Sequence, residues 1–199
     1  NGTENVVVVV NPTPVLSSTL TPADICSGAT FSYTATSATA GSTFGWSRAL
    51  VAGITEAANT GTGNVSETLT NTTTAAINVT YVYTTTANTC VNGTENVVVV
   101  VNPIPVLSST LTPADICSGD TFSYTATSAT VGSTFGWSRA LVAGITEAAS
   151  AGAGDVSEVL TNTTAAAINV TYVYTTTANT CVNGTENVVV VVNPTPVLS

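Results

Sequence analysis

Four cysteines are the side chains of this sequence best suited to covalent chemistry. Cys26, Cys90, Cys117 and Cys181 form an even set in a chain of 199 residues. The sequence has no histidine and no C-x-x-C pair, which disfavours a zinc site. An even number of cysteines in an extracellular chain predicts disulfides, and four cysteines allow three different pairings. We therefore expect disulfide bonds and no metal centre built on cysteine.

The composition argues against an enzyme. Arg48 and Arg139 are the two cations beside eleven acids, the net charge is −9, and lysine, histidine, glutamine and methionine are absent. A serine or threonine nucleophile would have no histidine or lysine to activate it. Two cations cannot neutralise a phosphate backbone or hold the chain on anionic lipid. No run of eighteen apolar residues exists. We expect no catalysis, no cofactor, no nucleic-acid partner and no membrane insertion.

The acids and Arg48 have local roles in this interpretation. Calcium needs six to eight oxygens and several carboxylates, whereas the acids here lie singly. A calcium site using Asp24 or Asp115 with backbone carbonyls is therefore the weaker alternative to no metal. For Arg48 we expect an ion pair with an acid such as Glu56 or Glu67. The alternative is that Arg48 grips a carboxylate ligand.

Two tryptophans occupy equivalent positions of the chain. A tryptophan on the third strand of a β-sandwich is typical of a core anchor, and this is the role we expect for Trp46 and Trp137. The alternative is a sugar-stacking platform formed with Phe44 and Phe135.

The elements that position these residues come from an internal repeat with a period of 91 residues. Residues 1–91 and 92–182 differ at nine positions. Paired prolines favour polyproline II and predict short, semi-rigid linkers at Pro12 with Pro14 and at Pro103 with Pro105. We expect a natural chain that is longer than this segment. The predicted divisions are a last strand of a preceding repeat at 1–10, a linker at 11–14, repeat one at 15–102, a linker at 103–105, repeat two at 106–193, and a linker with the start of a following repeat at 194–199.

Each repeat has the pattern of an all-β domain. Threonine and valine dominate, and no 3.6-residue periodicity extends over a helical length. The alternation predicts strands near 15–21, 30–38, 42–50, 65–71, 76–87 and 95–102, with a loop at 57–64. The valines from Val97 to Val101 cannot be assigned one buried face. Six or seven strands in about 90 residues predict tandem antiparallel β-sandwiches of immunoglobulin-like type.

The sequence resembles a known family at several points. The segments ICSG-x-TFSYT, a tryptophan strand, INVTYVYTTTANTC and NVVVVVNPTP are similar to the PKD-like, Ig-like repeats of Bacteroidota secreted cell-surface adhesins. These include the gliding-motility, SprB-like adhesins that the type IX system exports. The resemblance covers both repeats and both flanking fragments. It implies an extended fibre on the cell surface and supplies no catalytic residues.

The topology of such a sandwich bears on the disulfides. The turn before the second strand and the turn after the penultimate strand lie at opposite poles, roughly 27–33 Å apart. Bridged Cα atoms lie within about 7 Å. We therefore favour an inter-domain bond between Cys26 and Cys181, leaving Cys90 and Cys117 for neighbouring repeats. The open alternatives are Cys26–Cys90 with Cys117–Cys181 inside each domain, or Cys90–Cys117 or free thiols.

These features predict a structural stalk segment of an extracellular fibre or cell-surface adhesin. Without lysine and glutamine, disulfides are the available covalent reinforcement. We expect the partners to be further copies of the repeat, through strand donation between chains or through lateral packing of exposed valines. The alternative is a glycan- or protein-binding module acting through the loop at 55–64.

Overall fold

A computed structural model describes residues 2–196 of the chain. Each repeat forms seven strands. In the first repeat these are β1 (Ile25–Cys26), β2 (Thr30–Tyr33), β3 (Thr43–Arg48), β4 (Asn59–Thr62), β5 (Val65–Thr68), β6 (Ile77–Ala87) and β7 (Cys90–Asn102). In the second they are β8 (Ile116–Cys117), β9 (Thr121–Tyr124), β10 (Thr134–Arg139), β11 (Ser150–Ala153), β12 (Val156–Val159), β13 (Ile168–Ala178) and β14 (Cys181–Asn193).

The chain separates into two compact units, with the division between Asn102 and Pro103. In the first unit a five-stranded sheet has the order β1-β7-β6-β3-β4, and β2 pairs with β5 in a second sheet. All of these pairings are antiparallel except that of β1 with β7, which is parallel. The second unit repeats the arrangement from β8 to β14. The all-β, immunoglobulin-like sandwich predicted from the sequence is confirmed, and residues 2–196 contain no helix that could cross a membrane.

The core lies between the two sheets of each unit. Buried and half-exposed residues alternate along β6, so that Tyr81 and Tyr83 point inward opposite Val97 and Glu95 of β7. Three valines of β7 are fully buried, namely Val97, Val99 and Val101. The structure thus assigns the face that the valine run left undetermined. Aromatic side chains from the other sheet complete the core, with Phe31 at 5.2 Å from the ring of Tyr81.

Two of the predicted secondary-structure elements are wrong. Residues 15–21 are not a regular strand. Ser17 N donates to Thr36 O, beyond the end of β2, and Leu20 O accepts from Val98 N of β7. Pro22 then ends the pairing, since proline has no N–H to donate. The second error lies in the predicted loop at 57–64, where Asn59–Thr62 forms the edge strand β4 against β3.

Candidate functional site

The two cysteines of the first unit lie at opposite ends of β7. Cys26 on β1 pairs in parallel with Asn102, the last residue of β7. Cys90 is the first residue of β7 and follows a two-residue turn, Asn88–Thr89, in which both residues have positive φ. This is the type I′ geometry that suits a tight hairpin. Each cysteine therefore marks one pole of the domain.

This register excludes a disulfide within one domain. Twelve residues of extended strand separate Cys90 from Asn102, which corresponds to about 40 Å at ~3.3 Å per residue. Bridged Cα atoms lie within about 7 Å. The same holds in the second unit, where Cys117 pairs with Asn193 and Cys181 begins β14. The alternative of Cys26–Cys90 with Cys117–Cys181 is therefore wrong.

The cysteines differ in their bonding state. A disulfide is present: Cys26 and Cys181 are disulfide-bonded, whereas Cys90 and Cys117 are free thiols. Cys90 is half-buried and its thiol lies 4.0 Å from the carbonyl oxygen of Asn11. Cys117 is exposed. The alternative of a Cys90–Cys117 bond is thus wrong as well.

The segment that enters the first domain is fixed at the Cys90 pole. Asn11 Nδ2 donates to the carbonyl oxygen of Asn88 at 3.5 Å. Glu95 Oε2 accepts from Leu16 N at 2.9 Å and from Asn92 Nδ2 at 2.8 Å. Glu186 does the same for Leu107 N and Asn183 in the second domain. A carboxylate on the last strand therefore holds the entry segment, a role that the sequence analysis missed.

The prolines of the predicted linkers differ in their exposure. Pro12 is exposed and Pro14 is buried, while Pro103 and Pro105 are both buried. The peptide bonds of the described residues are all trans.

Arg48 lies in a buried network with an acid and a tyrosine. Its side chain is 1% exposed, and Nε donates to Glu67 Oε2 at 3.0 Å. Nη2 donates to the carbonyl oxygen of Ala57 at 2.7 Å. Tyr81 Oη donates to the same carboxylate oxygen at 2.6 Å. Glu67 is one of the two partners expected from sequence, whereas Glu56 offers Arg48 its backbone carbonyl. These contacts leave Arg48 turned into the domain and not toward a ligand.

The network shifts two pKa values in opposite directions. Burial alone would raise the pKa of Glu67, but hydrogen bonds from Arg48, Tyr81 and Asn59 outweigh it and hold that pKa below its usual range. Burial, together with the bond to Glu67, raises the pKa of the Tyr81 phenol. Arg139, Glu158 and Tyr172 repeat the arrangement in the second domain. The charged pair is therefore structural in both repeats.

The tryptophans lie with the core. Trp46 is 9% exposed and meets Tyr81 edge to face, with ring centroids 5.6 Å apart. Its indole covers Gly61 of β4, where an added Cβ would lie 2.5 Å from the ring. Trp137 is partly buried against the second core and covers Gly152 in the same way. Trp137 also lines an open surface pocket, together with Ser138, Val173 and Thr175.

The residues named for metal or ligand binding are not brought together. Asp24 lies 3.5 Å from Asn102 Nδ2. Over residues 2–196, no three histidine, cysteine, aspartate or glutamate side chains are grouped to hold a metal ion, and this includes Asp24 and Asp115. The loop at 55–64 is held to the segment that follows β5, since Glu56 accepts from Thr70 N at 2.8 Å. Its central residues belong to β4.

Asn71 is a second buried polar residue that the sequence analysis missed. Its Nδ2 donates to Ala75 O at 2.7 Å and to Val101 O at 2.8 Å. Its Oδ1 accepts from the backbone and hydroxyl of Thr73, both at 2.8 Å. The Asn-x-Thr spacing is the available signal, because an asparagine commonly bonds the backbone two residues on. The backbone of Asn71 also bonds to Ser27, the residue after Cys26: Ser27 Oγ donates to Asn71 O and accepts from Asn71 N.

Several solved structures are remotely similar to this chain. Among solved structures, the IG1+IG2 fragment of DIP-gamma is 11% identical, with 93% of this chain and 99% of that chain covered and a TM-score of 0.45. An I-band fragment of titin is 14% identical, with 93% and 66% covered and a TM-score of 0.46. Extracellular domains 3–5 of Drosophila OTK are 14% identical, with 92% and 62% covered and a TM-score of 0.45.

Sequence comparison is more specific than these structural likenesses. No curated protein matches the chain. The model of the PKD-like domain matches twice, over residues 23–105 and 114–196. The two matches follow the repeat and contain both disulfide-bonded cysteines. The chain belongs to the PKD-like domain family, as two tandem copies.

Proposed function

We propose that this chain is a non-catalytic, load-bearing segment of an extracellular filament or cell-surface adhesin. The observation that carries the proposal is the placement of the cysteines at the two poles of each domain, with one bonded cysteine in each repeat. The resemblance to repeats of long bacterial surface adhesins supports the same location. A disulfide also fits an oxidising compartment outside the cytosol.

In this proposal the disulfide joins Cys26 to Cys181 and links consecutive repeats. This pairing is supported by elimination, because both of these cysteines are disulfide-bonded and the other two cysteines of the chain are thiols. By the same rule, Cys90 would meet the early cysteine of a preceding repeat, and Cys117 the late cysteine of a following one. Each junction would then have a covalent bond in addition to its proline linker.

The terminal strands of each domain support a mechanical role. The entry segment bonds to β7 at Glu95, at Val98 and again where β1 pairs with Val101 and Asn102. The entry segment and β7 run in the same direction, so a pull on the two ends shears these bonds along the strands. Bonds loaded in shear must break together, whereas bonds loaded in opening break one at a time. This geometry suits a segment that transmits tension.

Single-molecule stretching of the chain from its two ends tests the proposal. With Cys26 bonded to Cys181, the 154 residues between them cannot extend. The remaining 45 residues would then reach a fully extended length of about 150 Å at ~3.4 Å per residue. After reduction all 199 residues can extend, to a full length of roughly 680 Å.

The matched control is Cys26→Ser, which should extend fully without reductant. Equal extension of the oxidised and reduced wild-type chains would contradict the proposal. So would a low rupture force for the reduced domains, because a load-bearing domain must resist tension after the covalent bond is removed.

A further inference from the structure

The hairpins at 59–68 and 150–159 contain most of the differences between the two repeats. Five of the nine differing positions lie in this hairpin. Strand β4, with the sequence Asn59-Thr-Gly-Thr62, corresponds to β11, with the sequence Ser150-Ala-Gly-Ala153. Both strands lie at the edge of a five-stranded sheet. The repeats therefore differ chiefly at one sheet edge.

Strand β11 has an outer edge that is open to solvent. Within the described part of the chain it pairs with β10 alone. Gly154 N donates to Phe135 O of β10, and backbone groups alternate in direction along a strand. The N–H and C=O groups of Gly152 therefore face β10, whereas those of Ala151 and Ala153 face away from the sheet. Ala151, Gly152 and Ala153 are all exposed.

The equivalent edge of the first repeat is partly closed by one of its own side chains. Asn59 Oδ1 accepts from Thr60 N at 2.8 Å, and this N–H corresponds to the outward N–H of Ala151. Ser150 replaces the asparagine in the second repeat and interacts with Glu158 instead. The second repeat therefore presents an edge whose first outward donor is not capped by the preceding side chain.

We propose that β11 pairs antiparallel with β11 of a second copy of this chain, so that two chains associate side by side through their second repeats. Proline and charged side chains commonly prevent pairing at a sheet edge, and the residues from Ser150 to Gly154 include neither. A two-fold interface uses the same surface of both copies and therefore closes at a dimer. The pairing depends neither on the disulfide nor on the load-bearing role.

One register satisfies the outward backbone groups of both copies. With the two-fold axis at Gly152, Ala151 of each copy lies opposite Ala153 of the other, and each of these pairs exchanges two backbone hydrogen bonds. The two Gly152 residues then form a close pair, with Cα atoms about 4.5 Å apart. Asp155 lies opposite Ala149, so this acidic chain brings no two carboxylates together at the seam.

The same register brings the two Trp137 side chains together. Each indole lies over its own Gly152, where an added Cβ would be 2.7 Å from the ring. Trp137 is half-buried, whereas Trp46 in the first repeat is buried. Because glycine has no side chain, the edges of the two indoles can meet above the glycine pair. Pairing therefore covers apolar surface that only the second repeat leaves in water.

Sedimentation equilibrium of the full chain tests the proposal, in reductant so that Cys90 and Cys117 do not join copies. The wild-type chain should show a monomer–dimer equilibrium. Ala153→Pro removes an outward N–H and with it half of the hydrogen bonds between the copies, while proline is tolerated at an edge. The dissociation constant of the dimer should rise by at least about 10-fold. The matched control is Thr62→Pro at the equivalent position of β4, which should change this constant by less than about 2-fold.

A second variant keeps the test independent of whether β11 accepts proline. Ser150→Asn supplies the side-chain oxygen that caps the first repeat, and it should raise the dissociation constant by at least about 5-fold. In a Trp46→Phe background, the emission of Trp137 should move to shorter wavelength as the dimer forms.

Three results would overturn the proposal. The first is a wild-type chain that stays monomeric up to about 1 mM. The second is association that both β11 variants leave unchanged, because the copies would then meet through another surface. The third is a control variant in β4 that weakens the dimer as much as its β11 counterpart does.

Discussion

The substitution Glu67→Gln tests the buried network most sharply. Glu67 accepts hydrogen bonds from Arg48, Tyr81 and Asn59, and its side chain is 11% exposed. Glutamine has nearly the same shape and keeps one acceptor oxygen. It removes the negative charge and places an NH2 group where the carboxylate accepted bonds. The guanidinium of Arg48, 1% exposed, would remain without its counter-charge.

The expected cost follows from this burial. Removing one partner of a buried ion pair costs about 3–5 kcal/mol, because the other charge stays desolvated. The lower end applies here, since Arg48 keeps its bond to the carbonyl oxygen of Ala57 and the new side-chain amide keeps one acceptor oxygen. We expect a loss of about 3 kcal/mol in the first domain. For a domain of this size that is a fall in Tm of roughly 12–24 °C.

Tryptophan fluorescence can follow one domain at a time. In a Trp137→Phe background, Trp46 reports the first domain during urea unfolding. The matched controls are Glu158→Gln, which removes the equivalent acid of the second domain, and Glu4→Gln, which removes an exposed acid. Glu158→Gln should leave the Trp46 transition unchanged, and Glu4→Gln should shift the free energy of unfolding by less than about 0.5 kcal/mol.

A loss below about 1 kcal/mol for Glu67→Gln would refute this reasoning. It would mean that the Arg48–Glu67 pair behaves as an exposed surface pair, whose contribution is about 0–1 kcal/mol. A loss of equal size for Glu158→Gln at the Trp46 transition would instead show that the two domains do not unfold separately.

Three further predictions concern the same domain. Gly61→Ala should lower its stability by about 1–3 kcal/mol, because the new Cβ meets the indole of Trp46, whereas Gly45→Ala, with open space around it, should change little in urea unfolding. Asn71→Ala should cost about 1–3 kcal/mol, because the buried carbonyl oxygen of Val101 loses its donor, and calorimetry would show a lower Tm. The contribution of Glu67 to the free energy of unfolding should be fully present above pH 4.5, the ordinary pKa of a glutamate. It should decrease as the pH falls through the lowered pKa of Glu67 in the folded domain. Glu67→Gln should make the Tm depend less on acid, and an unchanged acid dependence would contradict the assignment.

The fold and the placement of the cysteines could be predicted because they depend on topology. The penultimate and last strands form one hairpin, so Cys90 must lie far from Cys26, whatever the details of packing. The face of the last strand could not be predicted, because Val98 is as apolar as Val97. Strand β4 was missed because its pairing with β3 uses the backbone, and its glycine is needed only because Trp46 lies above it.

The polar interior was predictable only in part. The choice of Glu67 over Glu56 as the partner of Arg48 depends on the pairing of β3 with β6, which brings Tyr81 directly opposite Arg48. That register cannot be derived from spacing along the chain. Asn71 looks like one of many asparagines followed by threonines, and its importance comes from the distant carbonyl of Val101.

Tryptic mapping of the unreduced chain tests the central claim, that the disulfide joins consecutive repeats. Trypsin can cut after two residues, Arg48 and Arg139, each followed by alanine, which gives fragments 1–48, 49–139 and 140–199. Thiols are first alkylated in denaturant. The unfolded chain is also needed for digestion, because both arginines are buried in the folded domains.

Each pairing then has its own pattern. A Cys26–Cys181 bond predicts that fragment 1–48 is joined to 140–199 and that 49–139 separates with two alkylated cysteines, Cys90 and Cys117. Reduction should part the joined pair. Disulfides within each domain would join all three fragments and leave no alkylated cysteine. That pattern, or separate fragments 1–48 and 140–199 before reduction, would contradict a covalent link between the repeats.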